Sequence, residues 1–193
     1  MVRLIFFTRK IAVLIVPFLI ALSSSSLAQF TADMIQTKDG ETTTSKIYVE
    51  NPFYCFEVKE EGEKTIVIVN QQEKTTTLLI PVDKMYMEMG SRSMVGAAND
   101  VFQSINKLTE TTEPSLVGTE TIQGYECKKY IVTREGQNIM VYWQSPDLGF
   151  PIKVVNEIAG STMELTNIQE GDVDDSMFII PSDYQKMNMP DWQ

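Results

Sequence analysis

The sequence predicts a mainly β protein: a curved antiparallel sheet of ten to eleven strands, an incomplete β-barrel, with one main amphipathic helix as a lid. Three observations carry this. Short runs rich in β-branched and aromatic residues recur about every ten residues, separated by turn residues. One interval, residues 91–108, changes to helical spacing. Several runs are apolar on both faces, so the sheet has to curl on itself or be covered.

The first run alternates Phe30, Ala32 and Met34 with Thr31, Asp33 and Ile35, and Lys38-Asp39-Gly40-Glu41 turns it back. Runs at 45–49, 54–58, 65–69, 75–80 and 85–89 follow. Asn51-Pro52, Glu61-Gly62-Glu63, Gln71-Gln72 and Pro81-Val82-Asp83 punctuate them. Such gaps suit hairpins and leave no room for parallel crossovers, which need a dozen or more residues. Within 91–108, Met94, Ala98, Val101, Phe102, Ile105 and Leu108 share one helical face. Gly90 precedes the segment, Ser91 or Ser93 supplies a cap, and Lys107 falls in the last turn of a helix of about four to five turns. Strands resume at 116–122, 127–133, 139–144, 152–158 and 162–168. Gly124, Glu135-Gly136, Pro146-Asp147-Leu148-Gly149 and Gly160 mark the reversals. The tail from Gly171 is rich in Asp and Pro and reads as irregular, pinned to the core by Phe178.

Residues 1–28 have the three parts of a secretory signal peptide. Arg3, Arg9 and Lys10 supply positive charge, the stretch from Ile11 to Leu22 is nearly all apolar, and Ser26-Leu27-Ala28 is a small-x-small cleavage site before Gln29. The apolar run is short for a membrane span of ~20 residues. The expectation is export to a periplasmic or secreted location with cleavage near Ala28. What remains is one β-rich domain, residues 29–193, that is not an integral membrane protein. Cleavage takes the chain from 193 residues to 165, and from 16 basic residues to 13 against 26 acidic, so the net charge moves from −10 to −13.

Composition excludes several functions. The absence of histidine removes serine–histidine and cysteine–histidine nucleophile systems and His-ligated zinc. The acidic balance argues against nucleic acid and against anionic headgroups. Gly-rich phosphate loops and GxSxG are missing. Glu60, Glu61 and Glu63, and Asp172, Asp174 and Asp175, lie in turns without calcium-loop spacing and read as solvated surface. No catalytic constellation, metal site or cofactor is predicted. Cys55 and Cys127 stand 72 positions apart, which is neither a CxxC nor a metal spacing. They form either one disulfide, worth roughly 4.4 kcal/mol in the loop-entropy model, or two buried thiols on separate strands.

The two-faced strands point to binding. Residues 65–69 set Ile66 and Ile68 against Val67 and Val69, and residues 139–143 set Met140 and Tyr142 against Ile139, Val141 and Trp143. Either a closed core or a ligand fills the second face. Met85, Met87 and Met89 share one strand face and Met94 opens the helical segment; flexible thioethers adapt to ligands of varied shape, such as acyl chains. With Val101, Phe102 and Ile105 of the helix and Trp143, they are the candidate ligand-binding residues.

The order of signal peptide, strands, helix and strands resembles the LolA-like superfamily, and within it an uncharacterised domain family similar to outer-membrane lipoprotein-sorting proteins. The matching pieces are residues 84–88 (Lys-Met-Tyr-Met-Glu), 124–130 (Gly-Tyr-Glu-Cys-Lys-Lys-Tyr), 143–153 from Trp143 to Lys153, and 178–184 from Phe178 to Tyr184. The resemblance implies a hydrophobic concave face under a helical lid, holding a lipid or lipoprotein acyl chain. The carriers have an arginine on an early strand that fastens the lid; the equivalent position here is Cys55 in Phe53-Tyr54-Cys55-Phe56-Glu57. The expected function is a non-catalytic periplasmic carrier, with a closed-core envelope protein–protein interaction module as the alternative.

Overall fold

A computed structural model of the protein describes residues 29–60, 62–90 and 100–187. The leader, residues 1–28, lies outside the described residues, as do Ser91, Ser93 and Met94. Six strands come first: β1 (Phe30–Lys38), β2 (Glu41–Glu50), β3 (Phe53–Glu60), β4 (Glu63–Asn70), β5 (Thr75–Ile80) and β6 (Met85–Gly90). Helix α1 (Val101–Thr109) follows. Then come β7 (Ser115–Ile122), β8 (Tyr125–Arg134), β9 (Gln137–Ser145), β10 (Phe150–Asn156), β11 (Ser161–Glu170), a 3-10 turn (Asp175–Phe178) and the short β12 (Gln185–Lys186). All twelve strands join one open sheet in the order β12-β6-β5-β4-β3-β2-β1-β11-β10-β9-β8-β7.

The order follows from the gaps. Hairpins run outward from β1 to β6 on one side and from β11 to β7 on the other, and β1 pairs with β11 to join the halves. Asp39-Gly40 and Glu135-Gly136 have positive φ at both positions, the two-residue turn whose twist matches antiparallel strands. The expected ten to eleven strands are all present; the twelfth is a two-residue parallel pairing of β12 on β6, too short to leave a hydrophobic period.

The helix departs from expectation. Asp100 is extended (φ −114°, ψ 102°) and is the N-cap of α1. A helix running unbroken from residue 91 is therefore corrected to one that starts at Val101. Apolar spacing does not register the aspartate whose carboxylate takes up the first free amides.

Side-chain alternation divides the sheet into two faces. One packs on α1: Phe30, Ala32 and Met34, Tyr54 and Phe56, Val67 and Val69, Val154, Met163 and Leu165 are all buried there. On the other face Cys55, Ile68 and Leu79 form a second buried cluster, covered by Phe178, Ile180 and Tyr184 of the tail. The second face of β4, apolar in sequence and in need of cover, is therefore covered by the protein's own C-terminal segment. That segment crosses behind β3, where Phe178 stacks on Phe53 with centroids 5.6 Å apart. It then reaches the sheet edge, where Gln185 N donates to Lys84 O (2.8 Å) and Met187 N to Tyr86 O (2.7 Å). The tail is an ordered strap, anchored as expected by Phe178.

Candidate functional site

The site is the seam between α1 and the sheet. At nine residues α1 is about 13 Å long, whereas twelve strands at ~4.8 Å spacing make a ribbon about 50 Å across. Phe102 and Ile105 are the buried apolar residues of α1. Phe102 meets Tyr54 edge-on at 5.5 Å and Phe150 at 4.6 Å between centroids, and Phe150 meets Phe30 at 5.8 Å. These rings join β1, β3, β10 and α1 into one aromatic cluster, each ring offset or tilted as ring quadrupoles favour.

A buried polar group holds the start of the helix. Asp100 Oδ1 accepts from the amides of Phe102 (2.9 Å) and Gln103 (3.2 Å), capping α1. Its other oxygen accepts from the Tyr54 hydroxyl at 2.6 Å and from Gln103 Nε2 at 3.0 Å. Gln103 Nε2 also donates to Thr76 Oγ1 at 2.8 Å, which ties the helix to β5. Burial raises the Asp100 pKa, while the bonds from Tyr54 and Gln103 act the other way. Burial and the neighbouring Asp100 carboxyl also hold the Tyr54 phenol well above its ordinary range. The phenol therefore remains a donor, and it is the clasp between β3 and α1.

Beside the clasp a cleft of about 100 Å³ opens between α1 and the β9–β10 hairpin, lined by Phe102, Ile105, Asn106, Gln144, Phe150 and Pro151 among others. That is below the ~300 Å³ at which pockets enclose drug-sized ligands.

The predicted residues fall as follows. Met85, Met87 and Met89 do line the helix face, because Met87 pairs with Leu78 and Met89 with Thr76. Met89 is buried, and the other two are half-buried on the outlying β6. Phe102 and Ile105 enter the seam and Val101 packs against its margin. Met94 lies outside the described residues. Trp143 does not join the site. It sits directly opposite Lys129 on β8 and Lys153 on β10, on the face away from α1. Those ammonium groups lie 4.8 and 5.6 Å from its ring, and its Nε1 donates to Glu120 Oε2 at 2.8 Å. Sequence alternation separated Trp143 from Tyr142 but did not show which of the two faces the helix.

Three residues missed as a group are Met34, Met140 and Met163, buried in mid-sheet on the helix face. They come from β1, β9 and β11, so no local pattern links them. The fastening position also shifts by one: Cys55 points away from α1, and Tyr54 beside it makes the contact. Cys55 and Cys127 are both buried free thiols. They lie six strand steps apart in the sheet, and a disulfide needs Cα atoms within ~7 Å. Burial pushes the Cys55 thiol up to about 12. Among the described residues no group of three Cys, Asp or Glu side chains is placed to share a metal ion.

An open, curved antiparallel sheet with a helix on one apolar face is the class this fold defines. Within that class, the chain belongs to the family described as Domain of unknown function (DUF4412), whose model matches residues 30–149 and 143–184. An uncharacterized conserved protein from Thermus thermophilus has a similar structure over 84% of this chain and 91% of that chain, at 10% identity and a TM-score of 0.56. The Pseudomonas aeruginosa MucA/MucB complex is similar over 86% of this chain, at 15% identity and a TM-score of 0.50, and the match spans 60% of that chain. The LolA superfamily protein NE2245 from Nitrosomonas europaea matches over 81% of this chain and 91% of that chain, at 10% identity and a TM-score of 0.36. No curated protein matches in sequence. Among the described residues no helix is long and apolar enough to cross a membrane.

Proposed function

We propose that this is an exported, non-catalytic binding protein of the periplasm that carries an acyl-bearing ligand, a lipid or a lipoprotein, between α1 and the helix face of the sheet. One observation supports it above the others. A nine-residue helix rests on a broad apolar face rich in methionine and is held there by two buried polar ties, Tyr54 to Asp100 and Gln103 to Thr76. Release of those ties and rotation of α1 uncovers Phe102, Ile105, Phe150 and the methionines behind them. Binding comes from apolar burial at ~25 cal/mol per Å², which suits a face whose buried polar groups already bond one another. The sequence resemblance to outer-membrane lipoprotein-sorting proteins is consistent with this cargo.

The test is native mass spectrometry of residues 29–193 purified from the envelope without detergent. A ligand-loaded chain whose extra mass extracts into organic solvent as lipid supports the carrier. A bare chain that also fails to bind a hydrophobic dye displaceable by fatty acid overturns it. The second reading, an envelope protein–protein module with a closed core, is favoured by the small volume beside α1, and it predicts the bare result.

A further inference from the structure

The two edges of the sheet are treated differently. At one, β6 is covered by the chain's own β12. At the other, β7 has β8 on one side and, among the described residues, no strand on the other. Its first seven residues are exposed and the eighth is half-buried. Leu116 and Val117 are 57% and 51% exposed, two of the five large apolar side chains left that open among the described residues. A long edge strand with free amides and carbonyls is a template for another strand.

Charge indicates which strand. Residues 115–156, from β7 through β10, hold four acidic and four basic side chains, so the whole of the −10 net charge lies elsewhere in the chain. This neutral quarter is where two copies of an acidic protein approach without mutual repulsion. The strand also complements itself. Antiparallel pairing about Thr119 sets Thr119 against Thr119 of a second copy, Val117 against Thr121, and Gly118 against Glu120. The two glutamates then never face each other, and Glu120 keeps its bonds to Lys129 and Trp143. β-branched pairs of this kind stabilise a sheet, and facing like charges do the opposite. The bulge between Leu116 and Gly118 bounds the paired stretch, with Val117 as its first residue.

We propose that β7 is a homodimer edge, joining two copies antiparallel about Thr119 into one continuous sheet. Light scattering on the exported chain over a concentration series tests association: the mass rises from one chain toward two, and Thr119→Lys holds it at one. Cysteine crosslinking tests the register. Thr119→Cys forms a covalent dimer under mild oxidant, and Thr121→Cys, which faces Val117 of the second copy, does so at least about tenfold more slowly. Wild type, with Cys55 and Cys127 buried, supplies the background. A mass of one chain throughout with no Thr119→Cys dimer overturns the proposal. Equal rates for the two variants overturn it as well.

Discussion

Tyr54 on β3 donates its hydroxyl to Asp100 Oδ2 at 2.6 Å, across 46 positions of sequence. Asp100 uses its other oxygen to cap α1, so one carboxyl both starts the helix and seats it. Both groups are buried and bonded to each other, and Gln103 Oε1 is the buried side-chain oxygen without a partner among the described residues.

Asp100→Ala removes the cap, worth ~1 kcal/mol, and orphans a buried hydroxyl, worth ~1–3 kcal/mol. The expected loss is about 2–4 kcal/mol in urea unfolding. Asp100→Asn keeps an acceptor for the Phe102 and Gln103 amides and turns Nδ2, a donor, toward the Tyr54 hydroxyl oxygen. The Asp100 pKa is raised in the folded protein by burial. Its contribution to stability is therefore complete below the unfolded carboxylate pKa of about 4 and is lost as pH rises through the folded value. Asp100→Asn has no such titration, so its stability relative to wild type should increase between pH 4 and pH 7. A constant difference across those pH values would contradict the burial of a titrating carboxyl.

Tyr54→Phe keeps the aromatic cluster and removes the clasp. Unfolding should cost about 1–2 kcal/mol less than in wild type, and hydrogen exchange should quicken in residues 101–109 ahead of the strands. If α1 is the lid, a fluorescent fatty acid binds this variant faster. Unchanged exchange in α1 would show that the aromatic packing and the Gln103–Thr76 bond seat the helix without the clasp.

The strap guards a thiol. Cys55 lies under Phe178, Ile180 and Tyr184 and is pushed up to about 12 by burial, so it should be inert to a thiol reagent at pH 8. Phe178→Ala takes away the ring stacked on Phe53. About 1.4 kcal/mol of lost contact gives a tenfold rise in local opening, read as Cys55 labelling located by peptide mass mapping. Labelling of Cys127 first would place the weak point elsewhere.

Trp143 separates stability from binding. Trp143→Ala should cost about 3–5 kcal/mol, as large-to-small core changes do, because the ring lies 7% exposed beneath Lys129 and Lys153. Fatty-acid affinity, measured below the unfolding transition, should stay within about twofold, since the ring faces away from α1. A selective loss of affinity would return Trp143 to the binding face.

Much of the sheet was legible because its signals are local. Residues 75–80 were bounded correctly by turn chemistry and alternation alone, and the Asp39-Gly40 and Glu135-Gly136 reversals by residue type. The methionine face of β6 was also legible, since a period of two needs only one strand. The start of α1 was not. Asp100 looks like any polar residue on a helical wheel until Tyr54 reaches it.

Strands, turns and the helical segment are each set within a dozen residues, and the acidic balance needs only counting, so the chain alone carries them. Folding chose which side of each two-faced strand meets the helix. It turned Tyr54 inward and Cys55 outward, set Trp143 between lysines, and gathered Met34, Met140 and Met163 from three strands. It also covered the back of β3 to β6 with the tail and set β7 at the far edge of the sheet. Alternation fixes two faces without labelling them. The label comes from long-range contacts, here α1 on one side and the C-terminal strap on the other, whose burial energy depends on residues far apart in the chain.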